Sequence, residues 1–523
     1  MNEVSPEQVR RWWRDGTEVA LFDAREEGPY AEQHPFYAVS LPLGRIEQRI
    51  FELVPRLDTP VVVYDDGGGV AERAIARIRA LGYTNVSRLA GGLRGYARVG
   101  ELFRDVGVPS KSFGELVEAI RHTPSLSASE VKALIDAGTD MVILDARRFE
   151  EYQTMSIPGA TSVPGAELTL RAAELAPSPD TLVIVNCAGR TRSIIGTQTL
   201  VNAGLPNRVA ALRNGTIGWT LEGFSLDTGA RRRAGDVTPE THARARAAAS
   251  RWAERVGVQV IDRGVLERYA ADTARTLYRF DVRTPDEYVK GHPHGFLSAQ
   301  GGQLVQATEE WVAVRGARIV LWDDDGVRAR MTASWLVQMG WDALVVEDAS
   351  LVADEQGMPP ARVAPRPDVT AIAITVEELR AAGDAAIVDL ATSPAYRKGH
   401  IPGARFVVPS RFAADLAALP GSGPIVLTSP DGAVAEYLAA DVASFTPRPV
   451  RVLTGGTEAW AAAGHPLERD RHHWLSPAED VYKRPYEGTD NAREAMQAYI
   501  DWELQLVAQL ANDGVSNFHV VRE

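Results

Sequence analysis

Short apolar runs of four or five residues, rich in Val, Ile and Leu, recur along the chain in pairs. The first run of each pair ends in Asp: Ala20-Leu21-Phe22-Asp23, Val142-Ile143-Leu144-Asp145, Leu277-Tyr278-Arg279-Phe280-Asp281 and Ala386-Ile387-Val388-Asp389. The second runs are Val61-Val62-Val63-Tyr64, Val183-Ile184-Val185-Asn186, Ile319-Val320-Leu321-Trp322 and Ile425-Val426-Leu427-Thr428. Unbroken hydrophobicity, rather than alternation, predicts strands covered on both faces, as in a parallel sheet. Helix-like stretches separate the runs. A third run closes each unit, leading into Gly91-Gly92, Asn214-Gly215, Asp348-Ala349 and Gly455-Gly456. The residues directly after the second runs are Asp65, Cys187, Asp323 and Ser429, placed 42, 42, 42 and 40 residues after the earlier Asp. This regularity predicts an α/β protein of four tandem domains, each a small parallel sheet with helices on both faces.

The expected domains are 1–110, 124–232, 256–358 and 370–470, followed by a helical tail, 471–523. The stretch 110–124 is expected to link the first two. The segment 239–256, rich in Ala and Arg, predicts a helix entering the third, and a Pro-rich run near 357–367 separates the last two. In the tail, Met496, Ile500, Leu504, Val507 and Leu510 have near-helical spacing over 491–512, with Thr489 or Asp490 as candidate cap. Docking of this helix on the body is the favoured reading, and a dimer contact the alternative.

Within the repeat, three strand ends continue as Asp-x-Arg (Asp23 and Arg25, Asp145 and Arg147, Asp281 and Arg283), while the fourth has Ala391 in place of Arg. A turn with His, Pro and Gly comes next, fullest in Gly399-His400-Ile401-Pro402-Gly403-Ala404. Chemistry concentrates in the second unit. Cys187 is the chain's single cysteine, and it stands between a strand and a helix in Cys187-Ala188-Gly189-Arg190-Thr191-Arg192-Ser193. A thiol at a helix N-terminus beside two guanidinium groups is expected to favour thiolate. A buried structural cysteine is the plainer alternative, but it would not require Arg190 and Arg192 as neighbours.

The chain has 523 residues, with 45% hydrophobic and 24% charged positions and a net charge of −13. That balance argues against nonspecific nucleic-acid binding as the main role. One cysteine excludes an intrachain disulfide framework and any zinc site with two Cys ligands. No apolar run reaches membrane-spanning length, and the start of the chain lacks signal-peptide character, so a cytoplasmic location is expected.

The Asp-x-Arg strand end, the Gly-His-Ile-Pro-Gly-Ala turn, the Cys-bearing loop and the Gly-Gly-x-x-x-Trp element at 455–460 occur in the order found in the rhodanese family. Over nearly all of 1–470 the chain resembles a tandem four-domain rhodanese of the thiosulfate sulfurtransferase type. The resemblance implies one working centre, Cys187. Asp65, Asp323 and Ser429 cannot carry a persulfide, so the other three domains are expected to be inactive. The Arg five residues after the Cys keeps the family spacing; phosphatases of the same fold use a loop one residue longer. The loop also departs from the Cys-Gly-Ser/Thr-Gly pattern of mercaptopyruvate sulfurtransferases.

The chemistry that the resemblance implies is a ping-pong transfer: Cys187 takes sulfane sulfur from a small anionic donor such as thiosulfate and passes it to cyanide, a thiol or a protein acceptor. No cofactor or metal is implied. Ala188, Gly189, Thr191 and Ser193 would cradle the anion with backbone N–H groups, and Arg190 and Arg192 would hold the sulfonate. Ser193 is equally a thiolate donor or a helix cap. Arg147 is a candidate substrate contact, whereas Asp145 reads as structural. Alternatives are a persulfide carrier or scaffold without turnover, 3-mercaptopyruvate as donor, and phosphatase or arsenate-reductase chemistry. An oligomer is open.

Other signals carry less. Gly67-Gly68-Gly69 resembles a dinucleotide loop, but Glu72 stands at the third Gly position. His292 with His294, and His472 with His473, read as structural or solvated. Trp12 and Trp13 fit helix packing. The acidic loops at Asp65-Asp66 and Asp323-Asp324-Asp325 read as solvated remnants of lost sites.

Overall fold

The computed structural model describes residues 2–522 and contains four all-parallel sheets. The first five strands of each sheet share one spatial order, 1-5-4-2-3 in chain order. In the second domain these are Ser125–Leu126, Met141–Asp145, Thr161–Ser162, Leu182–Asn186 and Val209–Leu212. The strands beginning at Met141 and Leu182 run side by side in register, Asp145 opposite Asn186. From this pair the chain winds outward in both directions. The carboxyl ends of the two strands therefore border the crevice where ligands collect in open α/β sheets.

The apolar runs form strands because both sheet faces are covered. Ile143, Ile184, Leu212 and Trp219 pack on one side of the second sheet, and Leu144, Val183, Val185 and Leu200 on the other. A shared brace closes the turn after each second strand. Tyr30, Tyr152, Tyr288 and Tyr396 donate to the carbonyls of Ala38, Ala160, Phe296 and Ala404 at 2.8–2.9 Å. The Tyr rings of the first, third and fourth domains stack on His34, His292 and His400. These histidines are internal packing groups.

The chain divides into two compact units. One comprises 1–6, 20–105 and 361–482 and contains the first and fourth sheets. The other comprises 7–19, 106–360 and 483–523 and contains the second and third sheets. Among the described residues no helix is long and apolar enough to cross a membrane.

Three expectations need correction. The stretch 110–124 is mostly helix Val108–Arg121, not an open linker, and it packs along helix Thr191–Ala203. Its polar residues Ser110, Lys111, Ser112 and Glu115 are buried, which hid it from the hydrophobic pattern. The tail is not wholly helical either, because His473–Trp474 adds a sixth strand to the fourth sheet. Its helix is two, Arg493–Glu503 and Leu506–Asp513, and neither Thr489 nor Asp490 caps the first, whose N-cap is Ala492. The break leaves Leu504 exposed and lets Leu506 and Leu510 enter the core.

Candidate functional site

Cys187 ends the central strand of the second sheet and is 2% exposed. Its carbonyl accepts from Thr216 N–H (2.9 Å), and that of Ala188 from Ile217 N–H (3.0 Å). Asn214 and Gly215 make this possible by both taking positive φ, 62° and 54°. A Cβ on Gly215 would stand 2.3 Å from the Cys187 carbonyl oxygen, so only glycine fits beneath the loop. Thr191 then opens the helix, its methyl group pressed on Gly114 of the neighbouring helix.

The backbone and hydroxyl of Ser193 bear on the Cys187 sulfur, and the Arg192 charge reaches it. These influences pull the thiol's pKa down, but burial outweighs them and Glu503 adds to it, so the thiol sits above its ordinary value. The expected preference for thiolate is thereby reversed by burial. The Ser193 hydroxyl donates to the Arg190 carbonyl at 2.8 Å. Its single proton must leave that oxygen before it can serve the sulfur.

The two arginines of the loop have separate tasks. Arg190 donates through Nε and Nη2 to both oxygens of Glu115 (2.7 and 2.8 Å), through Nη2 also to Glu118, and through Nη1 to Asn214 (3.1 Å). With every nitrogen engaged, it braces loop to helix and has no fork left for a sulfonate, contrary to expectation. Arg192 uses Nη1 and Nη2 on Glu151, both at 2.8 Å, and keeps its Nε edge. The pair holds the Glu151 carboxyl far below its usual range. Arg147 is 1% exposed and donates to both oxygens of Asp145 and to the Met155 carbonyl. It ties a strand end to the adjoining turn, which is the role expected of Asp145 and not that of a substrate contact.

The C-terminal segment covers the loop, which the sequence did not reveal. A Cβ on Gly189 would lie 3.2 Å from the Tyr499 ring and 3.3 Å from Glu503 Oε2. Lys111 fastens this segment: its ammonium lies 5.6, 5.2 and 5.5 Å from the rings of Tyr486, Tyr499 and Trp502. Beside the loop is a cavity of about 180 Å³, bordered among others by Lys111, Arg148, Arg192 and Arg484 and by Gln300 and Gln303 of the third domain. Glu151, Glu310 and Glu487 border it as well, paired with Arg148, Arg192 and Arg484, so the lining is mixed in charge and rich in hydrogen-bond donors.

In the two acidic loops Asp66 and Asp324 are exposed as expected, but Asp65, Asp323 and Asp325 are buried rather than solvated. Asp65 is 1% exposed and accepts from the N–H groups of Gly67, Val70 and Ala71. Asp323 accepts from Gly326 and Ala329, and Ser429 from Ala435. These side chains sit inside the cradles of their own loops.

The model of the rhodanese-like domain matches residues 5–98, 127–222 and 373–463. The crystal structure of thiosulfate sulfurtransferase from Pseudomonas aeruginosa is 51% identical, superposes with a TM-score of 0.96 and is covered over 100% of both chains. Residues of this chain are 31% identical to the HTH-type transcriptional regulator Rv0324 of Mycobacterium tuberculosis over 106 positions, 20% of this chain and 46% of that protein. They are also 31% identical to the candidate sulfur carrier YrkF of Bacillus subtilis over 97 positions, 18% of this chain and 51% of that one. The chain thus spans about half the length of these two relatives.

Proposed function

The chain belongs to the rhodanese family, and we propose that it is a sulfurtransferase that moves sulfane sulfur from thiosulfate to a thiophilic acceptor through a persulfide on Cys187. The observation that carries this reading is the second loop itself. Of four equivalent positions only this one holds a thiol, under the Ser193 N–H and beside a polar cavity that Arg192 borders. The full-length likeness to a protein named thiosulfate sulfurtransferase supports the donor.

In the first half-reaction the ionised Cys187 sulfur attacks the outer sulfur of thiosulfate. The new S–S bond forms as the old one breaks, and its electron pair leaves with sulfite. The persulfide carries the negative charge onto the outer sulfur, where the loop N–H groups would stabilise it. Arg192 offers its Nε edge to the sulfonate, its guanidinium fixed by Glu151. Arrival of a dianion also lowers the burial penalty that Arg192 bears. In the second half-reaction the acceptor removes the outer sulfur and Cys187 is restored. A cellular thiol of the cytoplasm is the acceptor we favour, and 124–232 is the catalytic domain in this reading.

Thiocyanate production from thiosulfate and cyanide tests it, with wild type and Cys187→Ala compared directly. Activity in the wild type alone is expected. Equal activity in the variant would remove Cys187 from the mechanism. The buried thiol and the likeness to YrkF favour one second reading, a persulfide carrier loaded by another protein. That reading predicts no turnover with either small molecule.

A further inference from the structure

Glu503 ends helix Arg493–Glu503 and is 1% exposed. One carboxyl oxygen, Oε1, accepts from the Tyr499 hydroxyl at 2.8 Å. The other, Oε2, is buried with no hydrogen-bond partner among the described residues, and it faces Gly189 of the Cys187 loop. Glycine at 189 is what makes room for it: any side chain there would meet Tyr499 and Glu503 at 3.2–3.3 Å. A buried carboxylate oxygen without a donor is unfavourable. A buried carboxylic acid is different, because its O–H is a donor waiting for an acceptor, and the group that enters this site is an anion.

We propose that Glu503 is an anion-binding residue of the site: in its neutral form Oε2 carries the proton and donates a hydrogen bond to the sulfonate of the donor held over loop 187–193. The inference rests on Cys187 being the sulfur-accepting nucleophile. It explains how a dianion is held where Arg190 is spent on Glu115 and Glu118 and Arg192 already shares its charge with Glu151. A neutral donor adds a hydrogen bond without adding another buried charge.

The surroundings keep the acid neutral near pH 7. Burial and the nearby Glu115 carboxylate push Glu503 up to about 8, while Lys111, the Tyr499 hydroxyl and Arg190 pull the other way. Cys187, pushed up chiefly by burial, is pushed further by the Glu503 carboxylate. The reacting complex therefore needs two protonation states at once, Cys187 ionised and Glu503 neutral. In that complex the Cys187 sulfur bonds to the outer sulfur, the S–S bond of thiosulfate breaks with its electron pair on sulfite, and the Glu503 proton stays on Glu503.

Sulfite release from thiosulfate without acceptor, in a single turnover monitored from pH 6.5 to 9.5, tests this. The wild-type rate constant should rise about tenfold per pH unit while Cys187 ionises, then level off near pH 8 as Glu503 loses its proton. Glu503→Gln keeps a donor that does not titrate, so its rate should continue to rise past pH 8. Tyr499→Phe removes a hydrogen bond that favours the carboxylate, so its break should move to higher pH. A break at the wild-type pH in Glu503→Gln, or a uniformly lower rate with that break unchanged, would overturn the proposal. If Glu503→Gln does not fold, an unmoved break in Tyr499→Phe overturns it. Absence of sulfite from the wild type would instead defeat the reading of Cys187, and this inference with it.

Discussion

The second and third domains build the same loop on the same sheet, and they differ in what occupies it. In both, an Arg five residues into the loop meets a Glu of the helix after the second strand: Arg192 with Glu151, Arg328 with Glu287. In the third domain, Asp323 and Asp325 fill the cradle, taking the N–H groups of Gly326, Val327, Arg328 and Ala329. Arg328 is then saturated by Asp324, Asp325, Glu167 and Glu287. Burial, with the Asp325 carboxylate crowded beside it, raises Asp323 above its ordinary range, while Arg328 holds Asp325 below it. The loop 187–193 of the second domain has no acidic residue of its own. Its cradle holds a small neutral thiol, and Arg192 answers to one carboxylate only. The third loop carries its anion covalently, whereas the second, in the reading proposed above, leaves that place to a ligand.

The division of labour between the two arginines of the working loop is the sharpest way to test this difference. Arg190→Gln should leave Glu115 as an uncompensated buried acid beside a half-buried Glu118 and destabilise the protein by about 3–5 kcal/mol in urea unfolding, with little change in the KM for thiosulfate. Arg192→Gln should raise that KM by roughly 10–100-fold, the worth of a charge-assisted hydrogen bond. Reversed outcomes would return the sulfonate to Arg190. In the first domain, Asp65→Ala empties a cradle that nothing else fills and orphans the N–H groups of Gly67, Val70 and Ala71. A loss of about 1–3 kcal/mol is expected, without effect on sulfur transfer. Unchanged stability would show that Asp65 does not hold its loop together.

Much of this could be read in the chain because it is written four times. Strand ends, the loop and its single thiol emerge from the 40–42-residue spacing of Asp23, Asp145, Asp281 and Asp389 to the loops. A finer signal lies in the same repeat. Glu at the sixth position after the strand Asp and Arg at the fifth after the loop residue occur together in the second and third units, and are both absent in the first and fourth, where Pro29 and Val70, and Ala395 and Val434, stand instead. That joint presence marks the Arg–Glu pair. Glu115, Lys111 and Glu503 had no such signal. They lie on segments outside the repeat, and their polar faces are buried against the loop rather than exposed, so hydrophobic periodicity gave them no weight. Partner carboxylates are also why a basic loop does not make a free anion site.

The fourth domain supplies a comparison that is read through pH. Asp23, Asp145 and Asp281 each face an Arg two residues on, but Asp389 has Ala391 and accepts only its N–H, at 2.9 Å. In the third domain burial raises Asp281 even with Arg283 beside it; without an Arg, burial carries Asp389 to about 7. An unfolded Asp titrates near 3.9. Between those values the folded state binds the extra proton, so stability falls as pH rises from about 4 to 7, by at most about 1.4 kcal/mol per pH unit, and is level above 7. Asp389→Asn keeps an oxygen for the Ala391 N–H and does not titrate. Its urea midpoint should change less than that of the wild type between pH 5 and pH 7.5, and it should gain stability at the upper value. Parallel pH slopes in the two proteins would mean that Asp389 is ionised and solvated in the fold, and that the Arg of the Asp-x-Arg pair does not serve to neutralise a buried charge.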